Sequence, residues 1–242
     1  MSTTILITGA SSGLGLAFLK HYASQTPPPK IIALDASPLP DDVPRGTFES
    51  HRVDITSDAD EDIKSIAARY ASTPIDLVVH CAGIRGLVPA VVKSQRGDVA
   101  AAETMDVMDR ATMIRTFEVN TWGTFNVVTS FLPSLKLARN ATVVILSSRM
   151  GSVQANVAGG GYAYRASKAA LNAVVKSFSL DVPEVAFLLL HPGRVETRLV
   201  EWREEGAISP EESLKDCLKI IEGFKREDSG SLVDRFGATI PW

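Results

Sequence analysis

The chain reads as an α/β protein: one doubly wound Rossmann-type domain, with a parallel sheet of about seven strands and helices on both faces. Three observations predict this. Short apolar runs alternate with helical stretches along the whole length. Several runs are apolar throughout, as strands covered on both faces are. A glycine-rich turn joins the first run to the first helix.

The elements follow in order. The first strand is Thr4–Thr8, and its helix is Gly15–Ser24. Pro27-Pro28-Pro29 marks the next loop, and Lys30–Leu34 is the second strand. A second proline-bounded loop, Pro38 to Pro44, precedes the strand Thr47–Val53 and the helix Asp58–Ala71. Leu77–His80 is a strand. Gly86 to Asp106 lacks periodicity and reads as a loop with a short helix near the substrate side. Met108–Leu137 reads as one long helix, Thr142–Ser147 as a strand and Tyr164–Leu180 as a helix. Val185–His191, the helix Pro210–Phe224 and the strand Ser231–Val233 complete the pattern. No internal repeat or Gly/Ser linker divides the 242 residues, so residues 1–242 read as one domain. Residues 1–150 would mainly hold a dinucleotide, and 147–242 would carry the catalytic groups and a substrate lid.

Composition excludes several classes. Lys and Arg number 25 against 28 Asp and Glu, a net charge of −3, so no nucleic-acid partner is expected. The apolar runs are too short to span a bilayer, and no membrane partner is expected. Met-Ser-Thr-Thr leads straight into an apolar run with no basic region, which reads as no signal peptide and a cytoplasmic protein. Cys81 and Cys217 form no Cys-x-x-Cys pair and read as reduced thiols. The histidines have no metal-ligand spacing, so no metal is expected.

Three motifs carry chemistry. In Thr8-Gly9-Ala10-Ser11-Ser12-Gly13-Leu14-Gly15, Gly9 permits a tight turn, Gly13 admits a pyrophosphate and Gly15 lets the helix pack on the strand. Asp35 ends the next strand, twenty residues after Gly15. A carboxylate there accepts from both hydroxyls of an adenosine ribose. It repels a 2′-phosphate by roughly 4 kcal/mol at about 4 Å, before screening. Ser12, and Ala36, Ser37 and Pro38 after Asp35, supply no cation for that phosphate, so NAD is expected over NADP. The third motif is Tyr164-Arg165-Ala166-Ser167-Lys168. Residues four apart share a helix face, so an ammonium sits beside a phenol and favours the phenolate. Before that helix, Ser148 in Ser147-Ser148-Arg149-Met150-Gly151 stands at a strand's C-terminal edge, where ligands bind.

Taken in order, Gly9/Gly13/Gly15, Asp35, Cys81-Ala82-Gly83, Asn120, Ser148, Tyr164/Lys168 and Pro192-Gly193 resemble the short-chain dehydrogenase/reductase superfamily over nearly the whole chain. Ser147 to Ser152, Gly161 to Arg165 and Ile240-Pro241-Trp242 resemble its C-factor and sniffer-like carbonyl reductases. The resemblance implies an oxidoreductase interconverting a secondary alcohol and a ketone or aldehyde. Tyr164 would be the acid/base, Ser148 would orient the substrate oxygen, and Lys168 would hold the nicotinamide ribose and lower the tyrosine pKa. Asn120 would bend its helix and hold a proton-relaying water. Ser11, Ser12, Leu14, Asp54, Ile55, Cys81, Ala82, Gly83, Pro192, Gly193, Val195 and Thr197 would complete the cofactor site, Asp54 accepting from the adenine amino group. The helix over Tyr164–Leu180 would give a homodimer or homotetramer.

Two departures stand out. Cys81 replaces the usual asparagine, removing a tie between strands. The interval from Ser148 to Tyr164 is long, with the extra residues in Gln154–Gly161; Ser147 and Ser152 are the alternatives to Ser148. His80 and His191 read as structural or cofactor-adjacent. Arg85 and Arg149 read as solvated or ion-paired surface residues, with contact to an anionic substrate the alternative. Two other functions fit the same scaffold: a non-redox isomerase or cyclase, and an NAD-binding signalling protein. The substrate walls, Arg85–Asp106, Gln154–Tyr162 and Thr197–Ser209, carry no readable code.

Overall fold

The computed structural model describes residues 3–43, 48–57, 62–200, 202 and 204–242. Seven strands form one parallel sheet: β1 (Thr4–Thr8), β2 (Lys30–Asp35), β3 (Phe48–Arg52), β4 (Leu77–His80), β5 (Thr142–Leu146), β6 (Ala186–His191) and β7 (Ser231–Asp234). Their order across the sheet is β3-β2-β1-β4-β5-β6-β7. The chain winds outward from β1 in one direction, then crosses to β4 and winds outward in the other. The crevice between the C-terminal ends of β1 and β4 is the switch point of the sheet, where ligands bind in such folds.

The sheet is covered on both faces, which is why its inner strands are apolar throughout. Successive side chains alternate sides. Leu6, Ile32 and Leu34 pack on one side with α2 (Ile63–Arg69), α5 (Gly123–Leu137) and α6 (Tyr162–Asp181), through Ile66, Phe131 and Val175. Ile5, Ile7, Ile31 and Ala33 pack on the other side with α1 (Gly13–Ala23) and α7 (Pro210–Gly223), through Phe18, Leu19 and Cys217. No helix among the described residues is long and apolar enough to cross a membrane.

Several boundaries differ from the sequence reading, while the loop with a short helix expected over Gly86 to Asp106 is present. The helix expected over Asp58–Ala71 begins at Ile63, because the Asp62 side chain accepts from the Ser65 N–H (2.9 Å) and caps it there. Residues 58–61, like Thr47 and Pro44, lie outside the described residues. The helix expected over Met108–Leu137 starts at Arg110 after an Asp109 cap and is interrupted. Between α4 (Arg110–Phe117) and α5, residues Glu118–Trp122 form a π-helical turn centred on Asn120. The segment Gly86 to Asp106 holds α3 (Pro89–Ser94) and a single 3₁₀ turn, Ala101–Glu103. Helix α6 begins at Tyr162, two residues early, directly after Gly161 at φ +60°.

Candidate active site

The glycine loop lies across the switch point. Gly9 has φ +66°, and a Cβ there would lie 2.8 Å from the Ala82 nitrogen. Only glycine therefore lets the end of β1 pass the end of β4. A Cβ at Gly15 would collide with the Gly9 carbonyl, so the same loop also fixes how α1 docks. The α1 N-cap, Ser12, has extended backbone and no side-chain cap, and no acid stands in the first turn. Helices α2, α4 and α7 are capped by their own Asp62, Asp109 and Ser209. The α1 N-terminus thus keeps its N–H groups for an anion. Thr197, after β6, faces Gly13 across this opening.

Asp35 braces the loop from β2. Its carboxylate accepts from the Ser11 N–H and the Ser37 N–H, both at 2.8 Å. Across the sheet, Arg52 on β3 is the register neighbour of Asp35, and its Nε donates to the Ala36 carbonyl at 3.1 Å. A cation thus stands beside the acid, though none follows it in sequence. Beyond β3, burial works against ionisation of Asp54, but hydrogen bonds outweigh it. The Thr56 N–H (2.9 Å), the Thr56 hydroxyl (2.8 Å) and the Arg115 guanidinium (3.1 Å) hold its carboxyl below the usual range. Ile55 beside it packs on Gly123 and accepts at its carbonyl from Asn126.

The tie that Cys81 cannot make is made by its neighbours. The Ala82 N–H donates to the Thr8 hydroxyl (3.2 Å), which meets His80 Nδ1 at 2.9 Å. His80 Nε2 meets the Thr124 hydroxyl at 2.9 Å, and that hydroxyl donates to the Asn120 carbonyl. Each hydroxyl has one proton, so the directions are fixed. Thr124 donates to Asn120 and accepts from Nε2–H, and Thr8 donates to Nδ1. His80 is therefore a neutral Nε2–H tautomer joining β1, β4 and α5. Burial, with Lys168 nearby, holds its pKa at about 3, which agrees.

On the opposite wall stand Tyr164 and Lys168, one turn apart on α6. The Lys168 ammonium donates to the Leu146 carbonyl at 2.9 Å and lies 5.7 Å from the Tyr164 ring centroid. Burial depresses its pKa to about 8. Burial also pushes the Tyr164 phenol up, opposed by the Arg85 charge and by a hydrogen bond with Ser148. Arg85 is thus a cation that favours the phenolate. Ser148 Oγ also accepts from the Met150 N–H at 3.1 Å. Of the alternatives, Ser147 donates to buried Asn172 (2.7 Å) and Ser152 accepts from Ala155, so both hydroxyls serve the framework.

Gly9, Ser11, Ser12, Gly13, Leu14, Gly15, Asp35, Asp54, Ile55, Cys81, Ala82, Gly83, Ser148, Tyr164, Lys168, Pro192, Gly193, Val195 and Thr197 all line one cleft of about 710 Å³. Asn120 does not. Its side chain lies behind the wall, clamping Ile84 through N–H to Oδ1 (2.8 Å) and Nδ2 to carbonyl (2.9 Å), and donating to Ser167 (3.0 Å). The polar atoms of that side chain place the Gly83–Ile84 segment, and its residue stands in the π-helical turn that interrupts the helix. After β6, the chain from Pro192 folds back, pairing Val195 with Ile208.

Other residues of the cleft were read only loosely from the sequence, or, like Arg165, were given no role. Arg85 is ion-paired, but it is not at the surface: it forms a two-pronged pair with Glu103 and lies over the Tyr164 ring. Arg149 is half-exposed and paired with Asp234. Arg165 laces the glycine loop before α6, donating to the carbonyls of Gly160 (3.0 Å) and Gly159 (3.2 Å). Gly159, Gly160 and Gly161 are all left-handed, a conformation that favours glycine at those positions. His191 lines the cleft with its pKa lowered to about 4 by burial, chiefly, and by Arg149. No group of three or more metal-binding side chains exists among the described residues.

Comparison with known proteins agrees with this geometry. The family profile for short chain dehydrogenases matches residues 3–207. The C-signal protein of Myxococcus xanthus is 36% identical over 182 residues, spanning 74% of this chain and 100% of that protein. The 1-hydroxy-2-glutathionyl-2-methyl-3-butene dehydrogenase of Rhodococcus sp. (strain AD45) is 30% identical over 246 residues, 99% of this chain and 100% of that enzyme. The NADPH-bound carbonyl reductase from chicken fatty liver superposes with a TM-score of 0.83 at 26% identity, over 100% of both chains. Carbonyl reductase Sniffer of D. melanogaster shares the fold with a TM-score of 0.82 at 24% identity, again over 100% of both chains. The chain belongs to the short-chain dehydrogenase/reductase superfamily of NAD(P)-dependent oxidoreductases.

Proposed function

We propose that this chain, in the cytoplasm, binds NAD along the C-terminal edge of its sheet and interconverts a secondary alcohol and a ketone or aldehyde of a small organic substrate. The observation that carries this is buried Tyr164, lining with Ser148 and Lys168 the cleft that opens at the uncapped start of α1. The residues fit a dinucleotide: the α1 N–H groups suit its phosphates, Asp35 and Asp54 its adenosine end, and the Pro192 to Thr197 segment its nicotinamide end. When bound, that cofactor supplies or accepts the hydride.

The chain's own residues handle the proton and the oxygen. Ser148 holds the substrate oxygen with its hydroxyl, and charge shifts onto that oxygen within a buried site. Tyr164 gives its Oη proton to the oxygen in reduction and takes it in oxidation. Because burial keeps the phenol protonated, the free protein stands in the acid form that carbonyl reduction uses. Lys168, with a pKa of about 8, is poised to carry a positive charge beside Tyr164 or to release a proton near neutrality.

The cofactor preference rests on Asp35 and on the absence of a cation at Ser12. One observation favours NADP instead: Arg52 stands beside Asp35 across the sheet. The relative with a signalling name, C-signal, keeps an NAD-binding signal protein as a second reading. Turnover separates them. A panel of secondary alcohols with NAD, and of carbonyls with NADH, should give steady turnover that Tyr164→Phe lowers by about 10²- to 10⁴-fold. Cofactor binding without turnover on any member of the panel would favour the signalling reading.

We also propose a homodimer or homotetramer joined through the α4–α5–α6 face. Phe117, Trp122 and Phe125 stand exposed there by 48%, 41% and 38%, and Phe125 stacks on Phe178 of α6. Sedimentation of the purified chain should show self-association that Phe125→Glu weakens; a lone protomer at micromolar concentration would remove this part.

A further inference from the structure

We propose that Arg85 and Glu103 form a fixed charge pair that positions Tyr164 and sets the balance between its phenol and phenolate forms. The role rests on the reading of Tyr164 as the acid/base group. The Arg85 guanidinium lies 4.9 Å from the Tyr164 ring centroid, closer than the Lys168 ammonium at 5.7 Å. A guanidinium over an aromatic face is attracted to the ring, and more so when that ring carries the negative charge of a phenolate.

The pair is built to stay where it is. Arg85 Nε and Nη2 each donate to a different Glu103 oxygen at 2.8 Å, which fixes the plane of the fork. The two side chains are only 15% and 11% exposed. Exposure that low takes the pair out of the class of surface ion pairs, whose geometry and worth are poorly defined. Both partners are anchored to the helix that carries the tyrosine. The Glu103 carbonyl accepts from the Gly161 N–H at 3.0 Å, one residue before α6. Gly86, next to Arg85, packs against Thr116 of α4 and Ala163 of α6, with no room for a Cβ.

The charges near the phenol oppose one another. Arg85 favours the phenolate, and Glu103 favours the phenol. Ser148 hydrogen-bonds the phenol from the end of β5, and Lys168 flanks it from the next turn of α6. Glu204, across the cleft, acts on Arg85. Without Glu103, Arg85 would shift the tyrosine towards phenolate; without Arg85, Glu103 would add to burial and shift it further towards phenol. The pair keeps both forms within reach, as a group that must both give and take a proton requires.

The test reads Tyr164 directly and needs no substrate or cofactor. Each protein is titrated with alkali by tyrosinate absorbance, and the curve of its Tyr164→Phe counterpart is subtracted, with circular dichroism reporting the fold. Arg85→Gln should raise the Tyr164 midpoint by about one pH unit, or beyond the range in which the fold survives, and Glu103→Gln should lower it. Arg85→Lys, which keeps the charge and loses the fork, should fall between wild type and Arg85→Gln. Shifts of opposite sign are what a merely structural pair would not give. Midpoints that stay put in both variants, or move the same way, overturn the proposal. If Arg85→Gln does not fold, Glu103→Gln decides alone: a midpoint no lower than wild type overturns it. A protein that shows the shifts and turns over no substrate keeps the charge pair and loses the functional reading.

Discussion

Lys168 buries an ammonium against the Leu146 carbonyl, and that burial costs stability. Its pKa is about 8 in the folded protein, against 10.5 ordinarily. Between those values the unfolded chain binds more protons than the folded one, so folding stability rises with pH across the window. Below about pH 8 the cost is fully present. Lys168→Met removes it, so the variant should be favoured over wild type most strongly near neutrality. That difference should shrink by on the order of 3 kcal/mol as pH rises towards 10.5. Denaturant melts of both proteins across this range check it; a difference that does not change with pH would contradict the buried charge. At this scale much was legible. Tyr164, Lys168, Ser148 and Asp35 were marked by residue type and spacing, since each stands at a strand end or helix start. Arg85, Glu103 and Arg52 were not. Their meaning comes from Tyr164, Gly161 and Asp35 respectively, which are distant from them in sequence, and only tertiary packing brings them together.

Elements were predicted best where the apolar period is unbroken. The inner strands β1, β4, β5 and β6 match their apolar runs within a residue, because burial on both faces demands apolar residues at every position. Boundaries moved where a side chain decided them, as Asp62 does for α2 and Asp109 does for α4. The π-helical turn at Asn120 spans only five residues, too few to show a period of its own. The exchange at Cys81 suggested a weaker tie between strands. The structure instead routes that tie through Thr8, His80 and Thr124. Thr124→Val keeps the volume and leaves the His80 Nε2–H without its acceptor, which should cost about 1–3 kcal/mol of stability. Thermal or urea unfolding measures this, and a loss within a few tenths of a kcal/mol would mean that the chain of hydrogen bonds does not hold the sheet.

At the scale of the whole molecule, the site is a consequence of topology. The strand order reverses between β1 and β4, and the glycine loop, the Cys81-Ala82-Gly83 turn and the ends of β5 and β6 meet there. In the proposed reading, α1 and Asp35 at one end of the cleft take phosphates and ribose, and Ser148 and Tyr164 at the other take a reacting oxygen. What the sequence left open, the substrate walls, is what the fold leaves to loops: the Arg165-laced glycine loop and the segment after Pro192, whose shapes follow from contacts and not from period.

We propose that Asp35 and the open start of α1 make this cleft a site for NAD. The most direct measurement is fluorescence titration with NADH and NADPH, wild type beside Asp35→Ala. Tighter binding of NADH, with the preference collapsing in the variant, is the predicted result. Tighter binding of NADPH by the wild type would contradict it and assign the adenosine end to Arg52; binding of neither would contradict the cofactor site itself.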